Sequence, residues 1–404
     1  MTRTLSSLAI DGGPAVRSTP MPGWPHYDAD ERDAAGAVLE SGRVNYWTGD
    51  ECRSFEREFA SWNSAPFAVA VSNGTVALEL ALGALGVGAG DEVVVPAATF
   101  VATAAAVATC GAVPVVADID PATQGLSADT LEAAITPRTV AVVVVHLAGV
   151  PADMPAIMQV ARRHGLRVVE DCAQAHGARL GGQVVGGFGD IAAWSFCQDK
   201  ILSTGGEGGA VTTADEALWR RCWERKDHGK NYDAVFHTEH PPGFRWLHDR
   251  FGTNARMTEF QAAIGRIQLH KLGSWVATRR SHAAALTAGL EDLVALRLPA
   301  PSTDAEPAWY RYYVHVRPDR LAAGWDRGRV CEALQAEGAQ VNHGGCMEIH
   351  RERAFANIRP TSELPVAAEL GRTALAVLVH PTLTGDDVHD TVEAFRKVMA
   401  VATA

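Results

Sequence analysis

Between about residues 67 and 213, short apolar runs alternate with amphipathic stretches, and this pattern predicts the core of the fold. The runs are residues 68–71, 93–95, 113–116, 140–145, 167–169, 191–196 and 210–212, most of them rich in valine. They lack the alternation of a half-exposed strand, which is how strands buried on both faces read. Residues 75–85 and 154–164 have the length and spacing of helices, and they supply the crossovers that parallel strands need. The expected unit is therefore α/β, a mostly parallel central sheet with helices on both faces. Ligands of such sheets bind beyond the carboxyl ends of the strands.

The flanks read differently. Up to Pro25 there is no periodicity, and Gly12, Gly13, Pro14, Pro20, Pro22 and Pro25 predict an extended arm. Asp28 and Glu31 form a capping-box pattern that opens a helix ending near Gly42. The stretch Arg43-Val44-Asn45-Tyr46-Trp47-Thr48-Gly49 either lines a pocket or caps one. Phe55 and Phe59, four apart, read as core contacts of a second helix. After Asn254 an alanine-rich helical stretch runs towards Leu290, broken at most near Gly273. A strand at Tyr312-Tyr313-Val314-His315-Val316 and helices at 327–337 and 386–401 predict a small α+β domain, which the N-terminal segment can complete. The expected division is an arm at 1–25, a large α/β domain at 26–270, and a linker helix with the small C-terminal domain at 271–404.

Length and composition narrow this picture. At 404 residues the chain exceeds the size at which one core stops growing, which favours two domains. A net charge of -11 without a basic run argues against a non-specific nucleic-acid or anionic-membrane surface. The pairs Arg162-Arg163, Arg220-Arg221 and Arg279-Arg280 read as solvated helix faces. Seven cysteines, an odd set with no close pair, disfavour a disulfide framework and a zinc site, so no metal is predicted and a reducing cytoplasm is expected. The first ten residues lack the apolar core of a signal peptide. Residues 100–117 are apolar, but Gly111 and Pro114 make them a buried helix, turn and strand instead of a membrane span.

The candidate chemistry lies at strand ends. The first run leads into Ser72-Asn73-Gly74-Thr75 at a helix N-terminus, which offers free N–H groups and a hydroxyl to a phosphate; a cap without a ligand reads the same way. The second ends in Pro96-Ala97-Ala98-Thr99-Phe100, with a ring placed for stacking or for the core. The run at 167–170 delivers Asp171 and Gln174, and a carboxylate there is costly to bury without a cationic partner. The run at 191–196 delivers Ser195 and then Lys200, followed by Gly205-Gly206-Glu207-Gly208-Gly209. A lysine for an imine, a carboxylate for a ring nitrogen, a phosphate cup and a stacking ring are the needs of pyridoxal 5'-phosphate (PLP). Neither a G-x-G-x-x-G nor a G-x-x-x-x-G-K-[ST] motif occurs, so the glycine cluster reads as a turn beside the lysine.

These pieces, with Glu170-Asp171-Cys172-Ala173-Gln174-Ala175-His176-Gly177, Asp227-His228-Gly229, Asn254-Ala255-Arg256-Met257-Thr258-Glu259, Leu364-Pro365-Val366-Ala367 and His380-Pro381, resemble the DegT-type sugar aminotransferases. The resemblance implies the fold-type I PLP architecture, with PLP as cofactor. It implies that Lys200 holds PLP covalently, that Asp171 pairs with the pyridine nitrogen, and that Gln174 contacts the ring's 3-hydroxyl side. It further implies that Phe100 stacks on the ring and that Gly74, Thr75 and Ser195 bind the phosphate. Asn254 would reach the phosphate of a neighbouring subunit, which implies a homodimer with shared active sites. The implied reaction moves an amino group from glutamate or glutamine to a nucleotide-linked keto sugar, at C4 and dTDP- or UDP-linked. A cyclitol ketone or aminoshikimate-type acceptor and a non-enzymatic sugar sensor on the same scaffold are the alternatives. His176 reads as a satisfied structural histidine or a partner near Asp171. Ala98 and the stretch 342–350 depart from the family pattern, the first towards a wider pocket, and both bear on the acceptor.

Overall fold

The computed structural model describes residues 7–358 and 363–404; residues 1–6 of the expected arm lie outside the described residues. A seven-stranded sheet runs from edge to edge as Phe67–Val71, Gly209–Thr213, Ile191–Ser195, Arg167–Asp171, Thr139–Val145, Glu92–Pro96 and Val113–Ala117. Five neighbouring strands are parallel, while Gly209–Thr213 runs antiparallel to both strands beside it. The carboxyl ends of six strands therefore share one edge. All seven predicted strands are present, and the valines that lacked alternation are buried on both faces, with separate cores above and below the sheet. The apolar stretch after Phe100 is the helix Ala102–Thr109, a turn and the strand Val113–Ala117, as predicted. No helix of the described residues is long and apolar enough to cross a membrane.

A second sheet, ordered Leu296–Arg297, Tyr312–Val316, Ala374–Val377 and Val341–His343, is wholly antiparallel. It packs with the helices Arg327–Ala336 and Gly385–Ala402 around its own core, to which Leu8 belongs. Glu259–Leu290 links the two layers as one unbroken 32-residue helix, so the break entertained near Gly273 is absent. Nothing lies within 4 Å of where a Cβ at Gly273 would point, so its glycine needs no kink to be accommodated.

The described part of the arm, 7–25, does not stand off the body. It forms a short 3-10 turn at Ala9–Asp11, and the backbone N–H groups of Ala9 and Val16 donate to the two carboxylate oxygens of Glu337. Arg17 pairs with Asp387 and Asp390. At the arm's far end, the Trp24 indole N–H donates to the backbone carbonyl of Lys200 at 2.8 Å. Asp28 and Glu31 close the predicted capping box, and Gly42 ends that helix in the left-handed conformation.

The reading of Arg279-Arg280 as a solvated helix face is overturned for Arg279. Arg280 is a partly exposed helix-face residue that pairs with Glu306, but Arg279 is fully buried and faces no carboxylate among the described residues. Its guanidinium donates to the carbonyls of Trp309 and Tyr310 at 3.3 and 3.5 Å and lies over the Trp24 ring. Burial lowers its pKa to about 9.

Candidate active site

A cavity of about 830 Å³ opens at the shared strand edge. Gly74, Thr75, Phe100, Asp171, Gln174, Ser195 and Lys200 all line it, so the fold brings together seven of the eight predicted site residues. Asn254 is not on this wall. It is exposed, bridged to Asp227 across the chain that leads into the long helix.

Each strand end presents its group for a local reason. Asn73 caps the helix Gly74–Ala84, its side chain accepting from the N–H of Val76, which leaves the first N–H groups of that helix free for an anion. Gly74 is required by its neighbour, because a Cβ there would stand 2.5 Å from the Cβ of Ser195. We therefore expect Gly74→Ala to cost about 1–3 kcal/mol by overpacking and to weaken cofactor retention. Thermal unfolding of the apoprotein and a PLP titration read the two effects separately.

Asp171 is nearly buried, and no lysine, arginine or histidine pairs with it among the described residues. Its two oxygens accept from Thr103 Oγ1 at 2.9 Å and the Ala173 N–H at 3.1 Å, and Thr99 bonds to Thr103 behind it at 2.7 Å. Burial raises its pKa, outweighing those two hydrogen bonds and the more distant charge of Lys200. The adjacent Glu170 differs: fully buried, it takes His146 at 3.0 Å and three backbone N–H groups. It is a satisfied structural carboxylate, whereas Asp171 faces the cavity still wanting a cation.

Lys200 ends a tight turn, its N–H donating to the Cys197 carbonyl. Its ammonium stands 3.4 Å from Tyr310 Oη and 3.6 Å from Asp199 Oδ1. Tyr310 in turn donates a hydrogen bond to Asp199. Although burial works to raise the Asp199 pKa, Lys200, Tyr310 and Arg311 together hold it below the ordinary carboxylate value. The glycine cluster hugs this turn: Gly206 and Gly208 carbonyls accept from the N–H groups of Gln198 and Phe196, and a Cβ at Gly209 would meet the Asn73 backbone at 2.5 Å. The expected close backbone passage is thus present.

Phe100 is on the wall with 68% of its surface exposed, so it is not a core residue. Gln174 keeps its side chain in place by accepting the N–H of Ala148 at 2.7 Å. His176 is buried between Trp194 and Phe196; neither ring nitrogen has a well-formed hydrogen bond among the described residues, and burial pulls its pKa down to about 3. The satisfied histidine that was expected is instead a neutral, unsatisfied one. Ala98 is buried in the core and not on the wall, so it does not widen the pocket, whereas Asn342, His343, Gly345 and Cys346 of the second divergent stretch do line it. No residue of 43–49 lines this cavity; Tyr46 is buried and the Trp47 indole N–H donates to Asp227 at 2.8 Å.

Asp199, Tyr310 and Arg311 are wall residues that sequence reasoning missed. The run Tyr310-Arg311-Tyr312-Tyr313 carried the signal, since three tyrosines and an arginine at a strand entrance are unusual for a buried edge.

A lysine and a buried carboxylate line one cavity at the ligand edge of this sheet, and the residues present fit pyridoxal 5'-phosphate. The chain belongs to the DegT/DnrJ/EryC1/StrS aminotransferase family, whose pattern it matches over residues 25–396, and it is a PLP-dependent aminotransferase. It is 41% identical to L-glutamine:2-deoxy-scyllo-inosose aminotransferase of Streptomyces kanamyceticus, over 98% of this chain and 97% of that one. It is 40% identical to UDP-N-acetyl-3-dehydro-alpha-D-glucosamine 3-aminotransferase of Acidithiobacillus ferrooxidans, over 87% and 89%. An aminotransferase from Psychrobacter cryohalolentis superposes with a TM-score of 0.92 at 48% identity, covering 94% of this chain and 99% of that one.

Proposed function

We propose that the protein transfers the amino group of glutamate or glutamine to the ketone of a nucleotide-linked keto sugar, working as a homodimer. The observation that carries this is the shared cavity of Lys200 and an Asp171 carboxylate buried without a cation. When bound, PLP supplies an electron sink that stabilises negative charge on the donor's α-carbon.

The chain's own residues do the rest. The Asp171 carboxylate, oriented by Thr103 and the Ala173 N–H, keeps a proton on the pyridine nitrogen. Gly74 and Thr75 at the helix N-terminus, with Ser195, take the phosphate. Gln174 holds the 3-hydroxyl side and Phe100 covers the ring. Lys200 Nζ anchors the cofactor, then takes the proton from the donor's α-carbon and later delivers one to the acceptor carbon. Tyr310, beside Nζ and locked to Asp199, orients that amine. Asn254, exposed and off its own cavity wall, serves the phosphate of the second subunit, a role its exposure supports.

A cyclitol acceptor is the second reading, favoured by the near full-length match to the 2-deoxy-scyllo-inosose enzyme. The test is one panel: PLP-loaded protein with glutamine or glutamate, offered dTDP- and UDP-linked 4-keto and 3-keto sugars and 2-deoxy-scyllo-inosose, with the aminated product followed by mass spectrometry. Amination of a nucleotide sugar supports the first reading. Amination of the cyclitol alone replaces it with the second, and a protein that never takes up PLP overturns both.

A further inference from the structure

Lys200 is held through its backbone as well as by its charged neighbours. Its N–H bonds within the turn, but its carbonyl accepts from the indole N–H of Trp24, 176 residues earlier in the arm, at 2.8 Å. Three residues on, Ser203 Oγ accepts from Tyr27 Oη at 3.0 Å, and the Ser203 N–H donates to Gln268 of the long helix at 2.9 Å. Beyond the amine, Arg279 of the same helix donates to the carbonyls of Trp309 and Tyr310, and its guanidinium lies 5.3 Å from the centre of the Trp24 ring. One indole thus touches both the backbone of the lysine and the cation that holds the tyrosine. Trp275 and His380 pack against the same ring and keep it in place.

Stability does not account for Arg279. It is fully buried and faces no carboxylate among the described residues, and the segments outside them, 1–6 and 359–362, contain no Asp or Glu. Its Nε and Nη2 have no partner among the described residues, and the two bonds it makes are long. Removing such a charge in favour of an apolar side chain of similar volume is often neutral or stabilising. What the guanidinium does fix is the Trp309-Tyr310 segment, entered through the left-handed φ of 51° at Trp309, and with it the Tyr310 hydroxyl 3.4 Å from Lys200 Nζ.

Building on the aminotransferase reading above, we propose that Arg279 and Trp24 are positioning residues of the proton transfer: Arg279 fixes Tyr310, Trp24 fixes the Lys200 backbone, and the contact between the two sets the gap from Lys200 Nζ to Tyr310 Oη. Neither side chain lines the cavity, so both act through the lysine and the tyrosine and not on a substrate. The leverage is geometric, because a reacting group misplaced by about 1 Å can cost on the order of 10²-fold in rate.

The test follows the half-reaction with glutamine or glutamate in a single turnover, as loss of the cofactor's visible absorbance. In Arg279→Met the limiting rate is expected to fall about 10- to 100-fold while the half-saturating donor concentration stays within about threefold. Arg279→Lys restores part of the loss. Trp24→Phe keeps a ring over Arg279 and loses only the N–H, and its rate falls about 3- to 10-fold; this milder variant decides the matter should Arg279→Met fail to fold. Tyr310→Phe keeps the carbonyl that Arg279 holds but lacks the hydroxyl, so adding Arg279→Met to it lowers the rate less than about threefold further. Two readouts need no turnover. The pH midpoint of the cofactor's visible absorbance moves by about half a unit or more in Arg279→Met and Trp24→Phe, in the direction that Tyr310→Phe moves it. The empty Arg279→Met protein melts within about 5 °C of its parent.

Parental rates and midpoints in Arg279→Met and Trp24→Phe overturn the proposal. So does a loss that is as large in the Tyr310→Phe background as in the parent, which would make the role of Arg279 structural, or one that lies in donor saturation alone. A parent that binds PLP and reacts with no amino acid at all fails one step earlier and overturns the aminotransferase reading itself.

Discussion

Lys200→Ala is expected to lower turnover by roughly 10⁴-fold or more, because in the proposed role one amine would both anchor the cofactor and carry the proton in each half of the reaction. The fold should survive the change. Lys200 is partly exposed, and Asp199, its closest charged neighbour, keeps Tyr310 and Arg311. A stability loss of about 1 kcal/mol or less follows for such a pair. The variant is also expected to retain PLP without a covalent bond, since the Asp171 side and the Gly74, Thr75 and Ser195 end of the cavity are untouched. Lys200→Arg is the sharper control: it keeps the charge but offers no amine that can lose a proton near neutral pH, and it should be as inactive as the alanine variant. Single-turnover absorbance with glutamine, beside thermal unfolding and equilibrium dialysis of PLP, reads all of this. Either variant completing the half-reaction at the parental rate would remove Lys200 from its role.

The parts of this site that were legible from the chain are those the α/β pattern itself places. Asp171, Ser195 and Gly74 each stand at or just after the end of a short apolar run, so naming the strand names the edge at which the residue arrives. Asp199, Tyr310 and Arg311 follow no such rule. Tyr310 lies 110 positions after Lys200, and only the packing of the small sheet's entrance against the lysine turn brings them together. A strand reading of that segment is correct for Tyr312–Val316 and silent about the two residues just before it.

Arg279 is a different kind of miss, because its signal was present. Leu272, Val276, Arg279, Ala283, Leu286 and Leu290 recur at intervals of three and four, and all six are buried in the long helix. The arginine sits on the apolar stripe, while Arg280 beside it falls on the outer face. Reading the pair as one solvated unit hid this. The buried guanidinium grips the two carbonyls of the Trp309-Tyr310 segment, where Trp309 adopts a left-handed φ of 51°, and it also lies against Trp24, whose indole holds the Lys200 carbonyl. Arm, linker helix and small sheet thus converge on the turn that carries the lysine. None of this contact is visible in the local pattern of the arm, whose described residues 7–25 lack any period because they follow the surface of another layer.

Asp171→Asn is expected to act in opposite directions on the empty and the loaded protein. Without cofactor, burial holds the Asp171 pKa above its ordinary value. The folded state then binds more protons than the unfolded chain between the ordinary carboxylate pKa, about 3.9, and the raised folded value. In that window the Asp171 contribution to stability falls as pH rises, and above it a constant penalty remains. The asparagine variant has no such penalty, so the empty protein should unfold at a higher temperature than its parent at pH 7, with the difference shrinking as pH falls towards 4. Loading with PLP reverses the order. The parent gains a cation for its carboxylate and the variant does not, and removing one partner of a buried pair costs about 3–5 kcal/mol. The variant's hold on PLP or its turnover should therefore drop roughly 10²- to 10³-fold at about 1.4 kcal/mol per decade. Melting curves from pH 4 to 8, with and without PLP, test both signs at once. An empty Asp171→Asn protein less stable than the parent at pH 7 would mean that Thr103 and the Ala173 N–H already satisfy the carboxylate, and that the site does not depend on a ring nitrogen to complete it.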